Sequence, residues 1–509
     1  MTASENNKRI AKNTGFLYLR TIIVLLVSLY TSRVVLDVLG IQDYGIYNVV
    51  GGFVVMFSFL NNAMAVSSQR FLTYELGRGN KNKFSMLFST SLNIHILIAL
   101  LILFFAETLG LWFVLNKLVI PADRIDAALW VFQLSILSLM FTVTQVPYNA
   151  TIMAHERMNV FAYISLFDVI LKLIIVYLLS ILGGDKLKSY SILFCSVTLV
   201  TSLLYRGYCN HSFKTCRFHL KTDWQQMKRM LSFSSWNLFS ATAMMGQGQG
   251  INILLNVFFG PTLNAARSIA FQVNSAMMNF VSGFQSAANP QITKYYAQNN
   301  KNEMFKLLYK SSRYSYFLLF LCAFPLLLEI DFVLGLWLKE IPYYTNIFCQ
   351  LVLINSLIDC FAVPLAVSIQ ATGHIKAYQF TVSLIILLTL PVSYMFLKSG
   401  YSPLWVFYVN IFISLLSLLL RLVMLKRKLD FSIKSYFVEV LQPCFIISMM
   451  SVPFLFPLSL TKCHPLLVMF LSVIYMLIVI WSLGLVKGER FYICDKILRS
   501  SVFKDKTRL

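Results

Sequence analysis

Apolar runs of roughly twenty residues recur along the whole chain, separated by short polar stretches. As a helix, each run is long enough to cross ~30 Å of hydrocarbon. The pattern predicts fourteen spans: 16–38, 44–68, 84–106, 127–149, 160–182, 189–207, 232–258, 264–288, 314–336, 345–369, 377–397, 401–423, 436–457 and 465–486. Arg206–Met230 is the longest stretch expected on the inner side, and its end, TDWQQMKRMLSF, reads as an amphipathic helix lying at the membrane surface. No polar stretch is long enough for a separate soluble domain, so the function is expected to sit within the bilayer.

The pattern is also duplicated. Gly40, in a tight turn expected at Gly40–Tyr44 between the first two spans, falls on Gly260 about 220 residues later. The loop after the second span and the loop after the eighth share an Asn-Lys-Asn triplet at that offset, and Tyr74 meets Tyr296. QVPYNATIMAHERM (Gln145–Met158) resembles AVPLAVSIQATGHI (Ala362–Ile375), with Pro147 on Pro364 and Ala154 on Ala371. Matches at nearly one offset indicate a six-span repeat. Both copies start on the same side, so the repeats are parallel. The expected architecture is an all-α polytopic membrane protein. It has a first six-helix lobe (1–207), a cytoplasmic linker with an amphipathic helix (208–231), a second six-helix lobe (232–425), two further helices (426–486) and a basic cytoplasmic tail (487–509).

Charge fixes the expected orientation. The chain has 509 residues, 58% hydrophobic and only 13% charged, with a net charge of +22. With the N-terminus inside, 32 of the 43 Lys and Arg fall on inner segments and 7 on outer loops. That asymmetry places both termini in the cytoplasm and accounts for the basic excess without nucleic acid. The polar first 15 residues lack the apolar core of a cleaved signal. The nine cysteines form no CxxC pair and read as small apolar residues within spans, so no metal is expected.

The remaining polar groups within spans are the candidates for chemistry. The second span carries Asn48, Gly51, Ser58, Asn62, Ala65 and Gln69; the eighth carries Asn264, Arg267, Ser275, Ser282, Gln285 and Asn289, and the stripes largely coincide at the repeat offset. Helix packing through small and polar residues is the plain explanation; two equivalent faces lining a shared space is the functional one. The seventh span holds Gly246-Gln247-Gly248-Gln249-Gly250, followed by Asn252. Three alternating glycines favour either close packing or an unwound, cavity-facing segment. Arg33 and Asp37, and Asp168 and Lys172, each lie four apart and can pair on one helix face. A structural pair and an ion relay are both open for Asp168. No metal-spaced His cluster, nucleophile elbow or phosphate loop is present.

The six-plus-six-plus-two plan resembles the multidrug, oligosaccharidyl-lipid and polysaccharide exporter superfamily, which includes the MATE transporters. The opening TSRVVLDVLGIQDYGIYNVV, with Ser32-Arg33, Leu39-Gly40 and Tyr44-Gly45, and the stretch Gln370-Ala371-Thr372-Gly373 followed by Lys376, resemble its bacterial polysaccharide-export branch. The resemblance implies a Wzx-type flippase, not an enzyme. Such proteins move undecaprenyl-diphosphate-linked oligosaccharide across the bacterial cytoplasmic (inner) membrane by alternating access of two lobes. It implies a cavity lined largely by helices 1, 2, 7 and 8. Arg20, Arg33, Lys172 and Arg267 are candidates for the diphosphate, since Arg forms bidentate contacts with phosphate oxygens. Asn62, Gln247, Gln249, Asn252, Ser282 and Gln285 are candidates for sugar hydroxyls, and Asp37 and Asp168 for an Na+ or H+ coupling ion. Apart from that ion no cofactor is expected; the partners implied are the lipid-linked oligosaccharide, the bilayer and polysaccharide polymerase machinery. A cation-coupled multidrug exporter of the same fold, which would favour acidic cavity residues, is the alternative. A polysaccharide polymerase or ligase would need a larger outer loop than 107–126.

Overall fold

The computed structural model describes residues 3–490 apart from 56–57, 117, 119, 182, 217–222, 339–340, 461–463 and 487. Part of the linker and the basic tail therefore lie outside the described residues. The described chain is helical, without strands. Helices of eight residues or more in the first half are α1 (Ala3–Val55), α2 (Ser58–Gly77), α3 (Lys81–Phe105), α4 (Ile125–Ala154), α5 (Met158–Ile181) and α6 (Lys186–Ser212). In the second half they are α7 (Trp224–Phe259), α8 (Pro261–Ala297), α9 (Lys301–Leu328), α10 (Ile330–Trp337), α11 (Thr345–Asp359), α12 (Ala362–Ala371), α13 (Lys376–Leu387), α14 (Thr389–Lys398) and α15 (Leu404–Leu429). Two more follow, α16 (Gln442–Leu460) and α17 (Pro465–Val479). Ten stretches among the described residues are long and apolar enough to cross a membrane. The first, second, seventh and eighth expected spans are not among the ten, yet each is helical, on α1, α2, α7 and α8.

The chain forms two compact units: Met1–Thr242 with Ser286–Met304 and Val367–Thr381, and Ala243–Gln285 with Phe305–Ala366 and Val382–Leu509. In the first, α4 packs against α1, α2, α3 and α6, and α1 against α5. One of its apolar clusters includes Phe84, Phe88, Tyr148, Ile152 and Phe233 and takes in Ile375 from the second half of the sequence. In the second unit, α15 packs on α11 and α14, and α16 on α17. Small hydroxyl residues line several contacts between helices: Ser68 and Ser91 lie 2.7 Å apart through their Oγ atoms, and Tyr316 bonds Ser448. Large apolar side chains such as Leu26, Leu100, Phe104, Phe412 and Phe470 are exposed, as suits a surface facing hydrocarbon.

The duplication is written in the backbone. Gly40 (φ 76°) corresponds to Gly260 (φ 82°), Gly79 (φ 73°) to Asn299 (φ 56°), Glu156 (φ 58°) to Gly373 (φ 80°), and Gly184 (φ 89°) to Gly400 (φ 82°). All eight are left-handed, a conformation that glycine adopts without cost and that strains other residues. Around the second pair the hydrogen bonds repeat as well. Gly79 N donates to Leu76 O and Asn80 N to Glu75 O, at 3.1 and 3.2 Å. Asn299 N donates to Tyr296 O and Asn300 N to Tyr295 O, at 3.0 and 2.9 Å. Asn80 and Asn300 then cap the next helices, accepting from Lys83 N at 3.0 Å and Glu303 N at 3.2 Å.

Two local readings change, and one that was open is decided. The turn expected at Gly40–Tyr44 is a kink at Gly40 alone (ψ 168°), and the helix resumes at once because one left-handed glycine suffices to redirect the chain. The amphipathic stretch from Trp224 is the opening of α7, capped by Asp223 through Gln225 N and Gln226 N at 2.9 and 3.1 Å, and is not a separate surface helix. The glycine run Gly246–Gly250 stays inside α7 without unwinding. Ahead of Pro443, a π segment runs over Phe437–Leu441, just before α16. Proline at 443 has no N–H for the preceding turn, and the widened turn absorbs the missing bond.

Candidate substrate site

In the second unit the α7 glycines set the approach. A Cβ on Gly250 would lie 2.5 Å from Leu390 Cδ2, so α14 rests on the α7 backbone, whereas Gly246 and Gly248 meet nothing within 4 Å. The amides between and after them form short chains. Gln247 Nε2 donates to Asn410 Oδ1 at 2.8 Å. Asn252 Nδ2 donates to Gln249 Oε1 at 3.1 Å, and Asn252 Oδ1 accepts from Arg267 Nη1 on α8. Gln249 itself is exposed.

Arg267 is the centre of this group. It is only 7% exposed, and its guanidinium lies 4.3 Å from the centroid of the Phe271 ring. Among the described residues its hydrogen-bond partner is the neutral Asn252, and no carboxylate pairs with it. One turn earlier on α8, the buried Oδ1 of Asn264 has no hydrogen-bond partner. A single charge at the bilayer centre costs about 2.5–3.5 kcal/mol on insertion scales, and a neutral amide offsets only part of that.

The first unit treats its charges differently. Lys172 Nζ is 2.8 Å from Asp168 Oδ2 and 5.0 Å from the Phe194 ring centroid, and Asp168 Oδ1 accepts from Thr201 Oγ1 at 3.0 Å. Both ions of that pair are satisfied within the bundle. Arg20 lies 4.8 Å from the Phe161 ring centroid, within electrostatic reach of Asp168 and Tyr205, while its buried Nε has no hydrogen-bond partner. Asp37 is exposed. The side chains of Arg33 and Asn62 lie outside the described residues, as does the expected Arg33–Asp37 pair.

The α8 stripe does not act as one face. Gln285 is 3% exposed and donates to Ser315 Oγ at 3.1 Å and Cys360 O at 3.0 Å, so its amide joins α8 to the interior of the second unit. Ser282 is exposed and bonds Asn279 O of its own helix at 2.9 Å. Of the expected lining group, Gln285 is already bonded to neighbouring residues of the second unit, while Ser282, about 60° away around an ideal helix, is open.

Comparison with solved structures adds the fold. A crystal structure of MATE in the bent conformation superposes with a TM-score of 0.70 at 13% identity, over 83% of this chain and 96% of that one. An outward-facing multidrug resistance MATE family transporter of the MOP superfamily gives 0.68 at 11%, over 84% and 96%. A MOP superfamily transporter from Pyrococcus furiosus gives 0.66 at 12%, over 84% and 97%. The protein has the MATE transporter fold. No family model matches the chain, and no curated protein matches it in sequence.

Within this MATE-like fold, several polar groups had not been singled out from the sequence. Asp359, at the end of α11, accepts from Asn355 Nδ2 at 2.7 Å. It is an acidic residue inside an expected span, and inspection of the tenth span alone would have found it. Ser356 Oγ donates to Asn274 Oδ1 at 2.6 Å, and Arg313 Nη2 pairs with Glu489 at 2.6 Å, joining α9 to the residues after α17. Glu156 and its partners were also missed, although the repeat had already placed Glu156 opposite Gly373.

Proposed function

We propose that the protein is a flippase that carries undecaprenyl-diphosphate-linked oligosaccharide from the inner to the outer leaflet of a bacterial cytoplasmic membrane, with both termini in the cytoplasm. The observation that carries this reading is Arg267: a buried guanidinium beside amides, with an aromatic ring below it and no carboxylate partner among the described residues. An arginine in that position lacks an anion, and a diphosphate supplies one with oxygens matched to the planar fork. Gln249 and Asn252 provide donors and acceptors for sugar hydroxyls or further phosphate oxygens. Lys172, neutralised by Asp168, is a weaker candidate for the anion, and Arg20 remains one.

A cation-coupled multidrug exporter is the second reading, favoured by the fold shared with a multidrug resistance MATE transporter. The Pyrococcus furiosus neighbour is described as having a reversed polarity of its binding pocket that suggests a different function. The basic group around Arg267 likewise argues against a cationic drug here. The test is export in a strain lacking its own flippase, with surface polysaccharide read against the amount of protein in the membrane. Arg267→Ala should lower export on the order of ten-fold or more at normal abundance. Arg267→Lys should restore only part, because an ammonium lacks the fork. Full export by Arg267→Ala would move the anion to Arg20, Arg33 or Lys172, whereas no export by the unaltered protein together with a change in ethidium accumulation would favour the exporter of drugs.

A further inference from the structure

The end of the bundle that carries the N-terminus holds two contacts related by the repeat, both inside the first unit. In one, the turn between α4 and α5 meets the end of α8. Glu156, with a side chain fully buried and a left-handed backbone, pairs with Arg9 of α1 at 2.7 Å and with Lys294 of α8. It also accepts from Gln291 Nε2, and its carbonyl accepts from Asn13 Nδ2 at 3.0 Å. In the other, the turn between α12 and α13 meets the end of α2. Arg70 donates to Gln370 O at 3.1 Å and Ala371 O at 2.6 Å, and a Cβ on Gly373 would lie 2.9 Å from Arg70 Nη2. Between these contacts the ends of α2 and α8 touch each other, at Gly77 and Ala297 through equivalent residues. The Tyr74 and Tyr296 rings are 6.2 Å apart, and a Cβ on Gly77 would lie 2.9 Å from Ala297 Cβ.

The two contacts hold repeat-related helix ends, α8 in one and α2 in the other, by different chemistry. Arg70 binds carbonyls and meets no anion in that contact. At Glu156 one carboxylate holds two cations, so the cluster carries an excess positive charge, and a non-glycine residue is kept where its repeat partner is glycine. The carboxylate's two ion pairs offset the strain of that backbone. A carboxylate held by two cations and an amide is also what a phosphate oxygen group can replace.

We propose that Glu156 is a releasable latch: a phosphate or diphosphate group arriving at this face displaces the Glu156 carboxylate from Arg9 and Lys294, frees the end of α8 from the α4–α5 turn, and is itself held by those two cations. The naming of the lipid diphosphate as that anion rests on the function proposed above; the latch does not.

The test uses the full chain in nanodiscs with a reporter, Thr293→Cys, on the latch helix. Thr293 is 5% exposed and takes no part in the latch. The rate of reaction with a water-soluble maleimide is compared with that of the chain lacking the reporter. Glu156→Gln should raise the reporter's rate on the order of ten-fold, since both ion pairs are lost. Glu156→Gly, which takes the residue of the repeat partner and relieves the backbone, should do the same while eluting as a monodisperse species. With Glu156 intact, farnesyl diphosphate should raise the rate, and it should add little in Glu156→Gln. An equal response to inorganic pyrophosphate identifies a free anion as the ligand, and a response to farnesyl diphosphate alone identifies a lipid headgroup; both support the latch. A well-folded Glu156→Gly protein with a protected reporter overturns it. So does an unchanged rate with both anions. Failure of the lipid-linked substrate reading shows separately, as absent polysaccharide export by the unaltered protein in the flippase-lacking strain while the latch still responds to pyrophosphate.

Discussion

After α4 the chain turns through Glu156, and after α12 it makes the same turn through Gly373. The backbones agree: both residues are left-handed, and each N–H reaches the carbonyl three residues back at 2.9 Å. The chemistry does not agree, because one turn presents a buried carboxylate to Arg9 and Lys294 and the other presents bare carbonyls to Arg70. The same division holds for the membrane-embedded charges. In the first unit Lys172 has Asp168; in the second, among the described residues, Arg267 bonds the neutral Asn252. The two halves agree where the chain must change direction and differ in the side chains placed there, so substitutions at repeat partners separate what the backbone requires from what the side chain adds.

The largest expected effect that tests this comparison is at Gly373. Gly373→Ala puts a side chain at φ 80° and drives its Cβ against the Arg70 guanidinium. Backbone strain of order 1–3 kcal/mol adds to weakened hydrogen bonds of about 1 kcal/mol each, so a loss of about 3 kcal/mol is expected. Thermal unfolding of the purified protein should show a clear drop. Glu156→Gly relieves the same backbone strain and should lose less than the buried ion pair alone would suggest. Equal losses for the two substitutions would mean that the turns are not equivalent.

Next is a pair of glycines that look alike in sequence. At Gly77 an added Cβ meets Ala297 Cβ at 2.9 Å and the Lys294 backbone at 3.1 Å, atoms that move only if α2 and α8 part. At Gly250 it meets the tip of Leu390, which can rotate away. Gly77→Ala should therefore cost about 1–3 kcal/mol as overpacking. Gly250→Ala should be close to neutral, because a helix interior favours Ala over Gly by roughly 0.5–1 kcal/mol. Unfolding temperatures of the two variants decide it, and a larger loss for Gly250→Ala would show that α7 and α14 form the tighter approach.

Those positions also show what could be read from the sequence. The repeat, the helical class and the fold were legible, since apolar runs and the glycines at 40 and 260 are direct consequences of spanning and turning. Arg267 was legible as an arginine stranded in a span. The latch was not, because left-handed backbone is signalled by glycine and Glu156 hides it; its partners lie at residues 9, 291 and 294, far away in the chain. The role of Gln285 was misread for another reason. A polar stripe gives the angle of each residue around its helix and leaves open whether a neighbouring helix, as at Ser315 and Cys360, already fills its hydrogen bonds. The glycine run left close packing and unwinding open, and the structure shows the first, with Leu390 packed on Gly250 in a helix that stays intact.

The smallest expected effect is the most symmetric. Asn80 and Asn300 follow left-handed residues, repeat the same two turn bonds, and each accepts from the N–H three residues on. Each satisfies a donor that would otherwise face the helix start unpaired. Asn80→Ala and Asn300→Ala should each cost about 1 kcal/mol, and since neither side chain touches the latch residues, neither should alter the reactivity of a reporter at Thr293. The cap bonds are 3.0 and 3.2 Å, so Asn80 should be marginally the more sensitive. The double variant should lose the sum of the two, because the caps sit on separate helices and share no partner. If the double variant loses clearly more than that sum, the ends of α2 and α8 transmit strain to each other through the Gly77–Ala297 approach, and the two halves are coupled even where their chemistry is identical.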